Sequence, residues 1–369
     1  MAAALSAGPG PTAPLDGGPA DDVWSARDTT PDEIDEALRR LLHERHVAND
    51  ALVPARVLNL VVVADRQWKG ETANRLDRVG RYHASRTVLC TVQESRTTLD
   101  ARAFLHYEQP PSGGVGLIRE RIEIDMGPGH LSRLDSIIDP VLVSELPTVL
   151  WSPHSYDEAV EALLGTIDVL LIDSDDAIDP FDALERTVTL LESAYVVDLA
   201  WLRTTPWRER IAASFDDPDR RAALAEISRV EIEHRPSSAA SALLLGGWLA
   251  SRLGWQPGEL RPVDRSGLRG RTRRRGGEVD VELVPVNLEV PGLASVTVHS
   301  AGDLCVSLER APGGLRARER SRAGDEHEWQ ILGASRGEGG ILGEGVRQAL
   351  LRDPTYGPAL AAARGFRAQ

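Results

Sequence analysis

The sequence predicts an α/β N-terminal domain with a mixed, largely parallel sheet, followed by a smaller α+β C-terminal domain. Three observations carry that prediction. The first half alternates helical stretches with short β-branched runs such as Val57-Leu58-Asn59-Leu60-Val61-Val62-Val63. Runs with almost no polar break belong to strands buried on both faces, as in parallel sheets covered by helices. Between Val279 and Leu308 the pattern is instead apolar-polar alternation at period two, the mark of strands with one wet face. Finally, 369 residues exceed what one core usually holds, so two domains are expected.

Residues 1–29, rich in Ala, Gly and Pro at their start, are expected to form a disordered tail rather than a signal peptide, because basic start and apolar run are both missing. Thr30-Pro31-Asp32-Glu33 reads as a capping box opening a helix whose apolar stripe is Ile34, Leu38, Leu41 and Leu42. The run from Val57 is the first strand, a polar helix follows, and Thr87 to Val92 is the next strand: a βαβ unit. Arg102 to Glu108 and Ile118 to Ile124 flank Pro110-Pro111-Ser112-Gly113-Gly114 and predict an antiparallel hairpin. Leu131, Leu134, Ile137 and Ile138 mark a helix; Thr148 to Trp151 and Asp168 to Ile172 are two more buried strands. The α/β domain is thus expected over 30–178. From 179 to 369 the expectation is a helical first half, in which Leu184, Val188, Leu191, Tyr195 and Leu199 share a face, then a helix around Leu243 to Leu249. A small antiparallel sheet and a closing helix near Leu342 to Leu351 complete it.

Composition narrows the function. The formal net charge of −14 argues against general nucleic-acid binding, since a phosphate backbone is repelled by the average surface. Two cysteines, Cys90 and Cys305, make no disulfide framework and no C-x-x-C pair, which fits a reducing cytoplasm. The longest nearly apolar stretch, Ala239 to Ala250, is too short for a bilayer, so no membrane association is expected. Lys69 is the only lysine and is followed by glycine, so no P-loop exists. After Val63 comes Ala64-Asp65-Arg66-Gln67-Trp68, without the glycine turn of a dinucleotide fingerprint. Neither a G-x-S-x-G elbow nor a zinc-like histidine set is present; His43 and His46 lack a third ligand. No cofactor, metal or catalytic residue is expected.

Some clusters leave alternatives open. Asp173, Asp175, Asp176, Asp179 and Asp182 follow a strand, where α/β proteins often hold magnesium; a solvated loop leading into a helix N-terminus explains them equally. Arg269 to Arg275 and Arg316 to Arg322 read as two arginine-rich loops, able to meet an anionic surface or simply solvated. The segment Asp198-Leu199-Ala200-Trp201-Leu202-Arg203-Thr204-Thr205-Pro206-Trp207-Arg208 combines Trp and Arg, the residues that anchor interfaces, although both tryptophans could instead seal the interdomain core.

Several stretches, taken in order, resemble the glucose-6-phosphate dehydrogenase assembly protein family, OpcA. They are Arg56-Val57-Leu58-Asn59-Leu60-Val61-Val62, His83-Ala84-Ser85-Arg86-Thr87-Val88 and Leu146-Pro147-Thr148-Val149-Leu150-Trp151, then Asp198-Leu199-Ala200-Trp201 with Trp207-Arg208, and Gly247-Trp248-Leu249-Ala250-Ser251-Arg252. The resemblance implies a two-domain cytoplasmic protein that binds glucose-6-phosphate dehydrogenase and favours its active oligomer as an allosteric activator. It would thereby support the oxidative pentose phosphate pathway and NADPH supply without catalysis of its own. Trp201, Arg203, Trp207 and Arg208 are the candidate partner-binding residues, with His83, Ser85 and Arg86 as a second patch. Pro206 departs from the family's continuous helix and predicts a kink or helix end near Thr205. Cys90 and Cys305, both placed in strands, make the thiol control linked to cyanobacterial relatives doubtful here. The rival reading is a sugar-phosphate or nucleotide-binding enzyme with Asp65, Asp173 and Asp175 around magnesium.

Overall fold

A computed structural model describes residues 22–367 apart from 49–51, 81–83, 109–115, 154–155, 264–266, 302–303, 321–324 and 333–337. The expected disordered tail over 1–21 lies outside the described residues. Residues 22–29 do not fit that expectation, because β1 (Asp22–Ala26) pairs antiparallel with β5 (Asp100–Glu108) along five register positions. The capping box forms as the sequence indicates. Glu33 N–H donates to Thr30 Oγ1, the Glu33 carboxylate accepts from Thr30 N–H, and α1 (Pro31–Ala48) follows.

The first half continues through β2 (Leu52–Pro54), β3 (Leu58–Asp65), α2 (Lys69–Gly80), β4 (Ser85–Val92), β5, β6 (Gly116–Met126), α3 (Leu134–Ile138), β7 (Thr148–Trp151), α4 (Asp157–Leu163), β8 (Val169–Ile172), α5 (Pro180–Leu191) and β9 (Tyr195–Asp198). Its nine-stranded sheet runs β1-β5-β6-β4-β3-β7-β8-β9, with β2 also on β6. The neighbours from β6 to β9 are all parallel. Counted in chain order, these six strands lie 3-2-1-4-5-6, the order of dinucleotide-binding sheets. The hairpin forms as expected, with β5 antiparallel to β6.

This sheet passes the expected boundary at 178. Tyr195 does not continue a helix from Leu191: α5 ends, the chain turns, and β9 joins the sheet beside β8. Val196 and Val197, β-branched and buried, are the local reason.

Past β9 come α6 (Leu199–Arg203), α7 (Thr205–Ser214), α8 (Pro218–Arg221), β10 (Ile227–His234), α9 (Ala239–Leu253), β11 (Leu260–Val263), β12 (Gly267–Arg274), β13 (Gly277–Pro285), β14 (Leu293–Ser300), β15 (Cys305–Ala311), β16 (Gly314–Arg320), β17 (Glu326–Leu332), α10 (Glu338–Ala349) and α11 (Tyr356–Arg364). The second sheet is neither small nor wholly antiparallel. It has eight strands in the order β11-β12-β13-β10-β14-β15-β16-β17, and β10 pairs parallel with β13. The strand missed from sequence is β10, although Val230 and Ile232 alternate there with Arg229, Glu231 and Glu233.

One face of the first sheet packs under α1, α3 and α4, through Ile34, Leu38, Leu134, Ile138 and Val160. The other face belongs to a single core that reaches from Leu60 and Val62 through Leu199, Trp201 and Leu243 to Val230, Ile232 and Val296 of the second sheet. The molecule therefore has two sheets and two helical layers around one shared apolar interior.

Candidate functional site

The expected contact residues converge on the carboxyl edge of β8 and β9, in the shared interior. Asp198 ends β9 and caps α6, accepting from Ala200 N–H at 2.9 Å. Thr205-Pro206 opens α7, with proline in the first turn where its missing N–H costs nothing. The kink expected at Pro206 is thus a real helix break after Arg203. All five residues of α6 are buried, because this short helix lies between the first sheet, α9 and α10.

Trp201, Arg203, Trp207 and Arg208 are 2%, 7%, 1% and 9% exposed, so none presents a surface to a partner. Of the two alternatives, the sealing of an interdomain core is what the structure displays. Arg208 lies 3.5 Å above the Trp201 ring, and its guanidinium donates to Thr204 Oγ1 at 3.0 Å and Thr205 Oγ1 at 2.9 Å. Trp201 Nε1 donates to Asp353 at 2.9 Å, which ties α6 to the segment before α11. Burial draws the Arg208 pKa down to about 10, against the pull of Asp353.

A second set of bonds lies alongside. Arg203 holds Asp173 bidentately at 2.7 and 2.6 Å and reaches Asp175 at 3.5 Å. Asp175 accepts from Ser241 N–H at 3.0 Å and Ser241 Oγ at 2.6 Å, joining α9 to the first sheet. Asp198 accepts from Ser174 N–H, Ser174 Oγ and the Tyr356 hydroxyl as well as from Ala200. Burial pushes Asp198 up to about 6, working against those hydrogen bonds. Asp175 is also raised, by burial first and then by the neighbouring Asp173 charge.

The magnesium reading places Asp65 with Asp173 and Asp175, and the structure does not bring them together. Asp65 ends β3 whereas Asp173 follows β8, and β7 runs between those strands. At about 4.8 Å per strand the offset is roughly 10 Å, too far to share one ion. Arg203 already occupies the cationic position beside Asp173 and Asp175. Among the described residues, no group of three or more His, Cys, Asp or Glu could hold a metal.

The crevice where dinucleotide-binding sheets place a phosphate lies between the carboxyl ends of β3 and β7. Here Asp65 occupies the turn, accepting from Gln67 N–H at 2.8 Å, so the chain's own carboxylate uses an amide that an anion would need. The Lys69 ammonium is drawn aside to Asp125 at 2.8 Å and Glu123 at 3.2 Å.

The second expected patch divides. His83 lies outside the described residues. Ser85 and Arg86 are buried at the start of β4, and Arg86 donates to Glu120 at 2.6 Å and to the Val141 carbonyl at 2.9 Å. Arg56 meets the same carboxylate from the other side, at 2.6 Å. Glu120 is thus the anion of a buried Arg-Glu-Arg bridge that ties β4 and β6 to the start of β3. Nothing in Ser85-Arg86 alone signals this, because Glu120 is distant in sequence and sits on an alternating strand.

The two arginine-rich segments are strands, not loops. Arg269 and Arg271 on β12 face Glu282, Glu278 and Asp280 on β13; Arg316, Arg318 and Arg320 on β16 face Glu328 and Glu326 on β17. Arg322 lies outside the described residues.

Two family models match the chain. Residues 76–189 match the N-terminal domain of the glucose-6-phosphate dehydrogenase subunit, and residues 194–360 match the C-terminal domain of the same subunit. This chain belongs to the OpcA family. The join between the matches, residues 190–193, falls in the turn before β9. A relative from Nostoc punctiforme, provisionally named OxPP cycle protein OpcA, is 35% identical over 153 residues, 40% of this chain and 33% of that protein. One of the same name from Synechocystis is 34% identical over 131 residues, covering 34% and 28%. The matched segments thus span about a third of the curated relatives' length. The Kluyveromyces lactis transcriptional regulator Gal80p shares the fold, with a TM-score of 0.50 at 9% identity over 85% of this chain and 88% of that one.

Proposed function

We propose that this protein is a non-catalytic partner of glucose-6-phosphate dehydrogenase that binds the enzyme and favours its active oligomer. The observation carrying this reading is that both halves match domains described as belonging to a subunit of that dehydrogenase. The interior supports it. A sheet with dinucleotide-binding strand order has its phosphate turn closed by Asp65, and its acidic edge is neutralised by Arg203. Such a scaffold keeps the shape of an enzyme while its crevices are filled by its own side chains.

To shift an assembly equilibrium the protein must bind the assembled dehydrogenase more tightly than its separated protomers. Allosteric activation, support of NADPH supply and a cytoplasmic location belong to the same proposal. Among the described residues, no helix is long and apolar enough to cross a membrane. Trp201, Arg203, Trp207 and Arg208 act in this scheme by fixing α6 and α7 within the core, not by touching the dehydrogenase.

The test mixes purified dehydrogenase with this chain and follows native mass and rate together. The expected result is a heavier complex and a faster enzyme; no capture and no change in mass or rate overturns the proposal. Turnover of glucose 6-phosphate or ATP by this chain alone, with magnesium, would overturn its non-catalytic part.

A further inference from the structure

The second sheet offers a surface that the proposed function does not use. One face packs on the shared core through Val230, Ile232, Val296, Val298, Val306 and Leu308. The alternate residues point away from it, and among the described residues no helix covers them. That open face is electrically balanced, unlike the chain as a whole at −14. Arg269 and Arg229 share Glu282 on one flank, and Arg318 bridges Glu328 and Glu309 on the other. Between these two charged ridges runs a stripe of hydroxyls, Ser295 and Thr297 on β14 and Ser307 on β15, with Thr297 and Ser307 hydrogen-bonded at 3.1 Å. A hollow of about 530 Å³ opens along the β15 to β17 side of the stripe.

We infer that this face is a self-association surface, and that its occupant is a second copy of this chain. Charge is the first argument. Two molecules of −14 repel over most of their surfaces, so the balanced face is where approach costs least. The second is symmetry. The middle of the eight strands falls between β10 and β14. A two-fold axis there lays each hydroxyl stripe of β14 and β15 against the partner's β10 and β13 ridge, which carries Arg229, Glu231 and Glu282. A hydroxyl both donates and accepts, so it can meet the arginine and the carboxylate of that ridge alike. Such a contact is isologous and closes at two copies. The third argument is area. Eight strands at about 4.8 Å spacing and seven residues at about 3.3 Å give roughly 800 Å² per copy, the size of a stable specific interface. Sheets packed in this way lie with their strands within about 30° of each other.

Sedimentation or light scattering of the full chain between about 1 and 100 µM tests the inference. Expected is a species of twice the 40.1 kDa chain mass that dissociates on dilution. Thr297 sits opposite Glu231 on the neighbouring strand, close to the proposed axis. Thr297→Glu in both copies gathers like charges there and should raise the dimer dissociation constant at least tenfold. Ser307→Arg, which fills the stripe with bulk of the other sign, should weaken the dimer too. Both positions lie on the open face, and circular dichroism with an unchanged melting temperature establishes that each variant is folded. A wild-type chain that stays monomeric at 100 µM overturns the inference, as does a dimer that both folded variants leave intact. Loss of dehydrogenase capture without any change in self-association would assign the face to the enzyme and overturn it equally.

Discussion

Asp198 is the carboxylate on which the most hydrogen bonds of the interior converge, and its protonation can be traced atom by atom. Its Oδ1 accepts the Ser174 and Ala200 amides, and its Oδ2 accepts the Ser174 and Tyr356 hydroxyls. Burial raises its folded pKa to about 6 from 3.8. The folded state therefore holds a proton that the unfolded chain has released, across roughly pH 4 to 6. Stability from this group is fully present below the unfolded value and is lost as pH rises through 6, by at most about 1.4 kcal/mol per pH unit. Asparagine fits the same bonds, since its oxygen keeps both amides and its NH2 donates to both hydroxyl oxygens. Asp198→Asn should fold, and the difference in melting temperature between wild type and variant should change between pH 4 and 6 and flatten above 7. A difference constant across that range would show that Asp198 does not titrate there. Glu120 is the contrasting case, an anion held by two arginines. Glu120→Ala strands the buried Arg86 charge and should destabilise the fold by about 3–5 kcal/mol, read from urea melts. A loss under 1 kcal/mol would mean that Arg56 and Arg86 find other partners.

At the scale of elements, the tightest packing joins α9 to α11. A Cβ at Gly247 would lie 2.3 Å from the Ala359 carbonyl oxygen and 2.7 Å from the Ala363 amide nitrogen. Both atoms are backbone, so neither can swing aside as a side chain would. Gly247→Ala should force the helices apart at a cost of about 1–3 kcal/mol or more, despite alanine's better helix propensity. The readout is thermal melting; a stabilised variant would refute the close approach. The Gly247 stretch was visible in the sequence as part of an apolar helix, yet its partner was not. In α11 the apolar residues are mostly alanine, and Gly357-Pro358 in its first turn obscures the helical pattern. The buried strands β3, β4, β7 and β8 were legible because each is a nearly unbroken apolar run. The four-residue β9 was not, because Tyr195 and Leu199 prolong the apolar spacing of α5 across the turn. The candidate site was legible as residue types and not as geometry. Trp201 and Arg208 read equally as an interface or an interior, and only Asp353, about 150 residues away, decides between them.

Across the whole molecule, the two family-matched halves do not correspond to two separate interiors. Leu60 and Val62 of the first sheet, Trp201 and Leu243 of the intervening helices, and Val230 and Val296 of the second sheet belong to one buried cluster. The C-terminal segment closes it. Tyr356 bonds Asp198, Asp353 bonds Trp201, and Arg364 bonds Glu185, so the last helix is anchored on the first half of the chain. Separating the halves would expose that cluster and leave Asp175 and Asp198 without their donors from Ser241 and Tyr356. Folding either half alone should therefore be unfavourable, and the full chain should unfold as one cooperative unit even though it exceeds the usual size of two-state domains. Calorimetry is expected to give a single endotherm whose calorimetric and van't Hoff enthalpies agree. Two resolved endotherms, or a stable folded fragment covering 194–367, would mean that the shared core is only a contact between independent domains. The Asp198→Asn protein supplies an internal check: its change in stability should move the whole endotherm, not one shoulder, because the residue it alters joins the first sheet to the last helix.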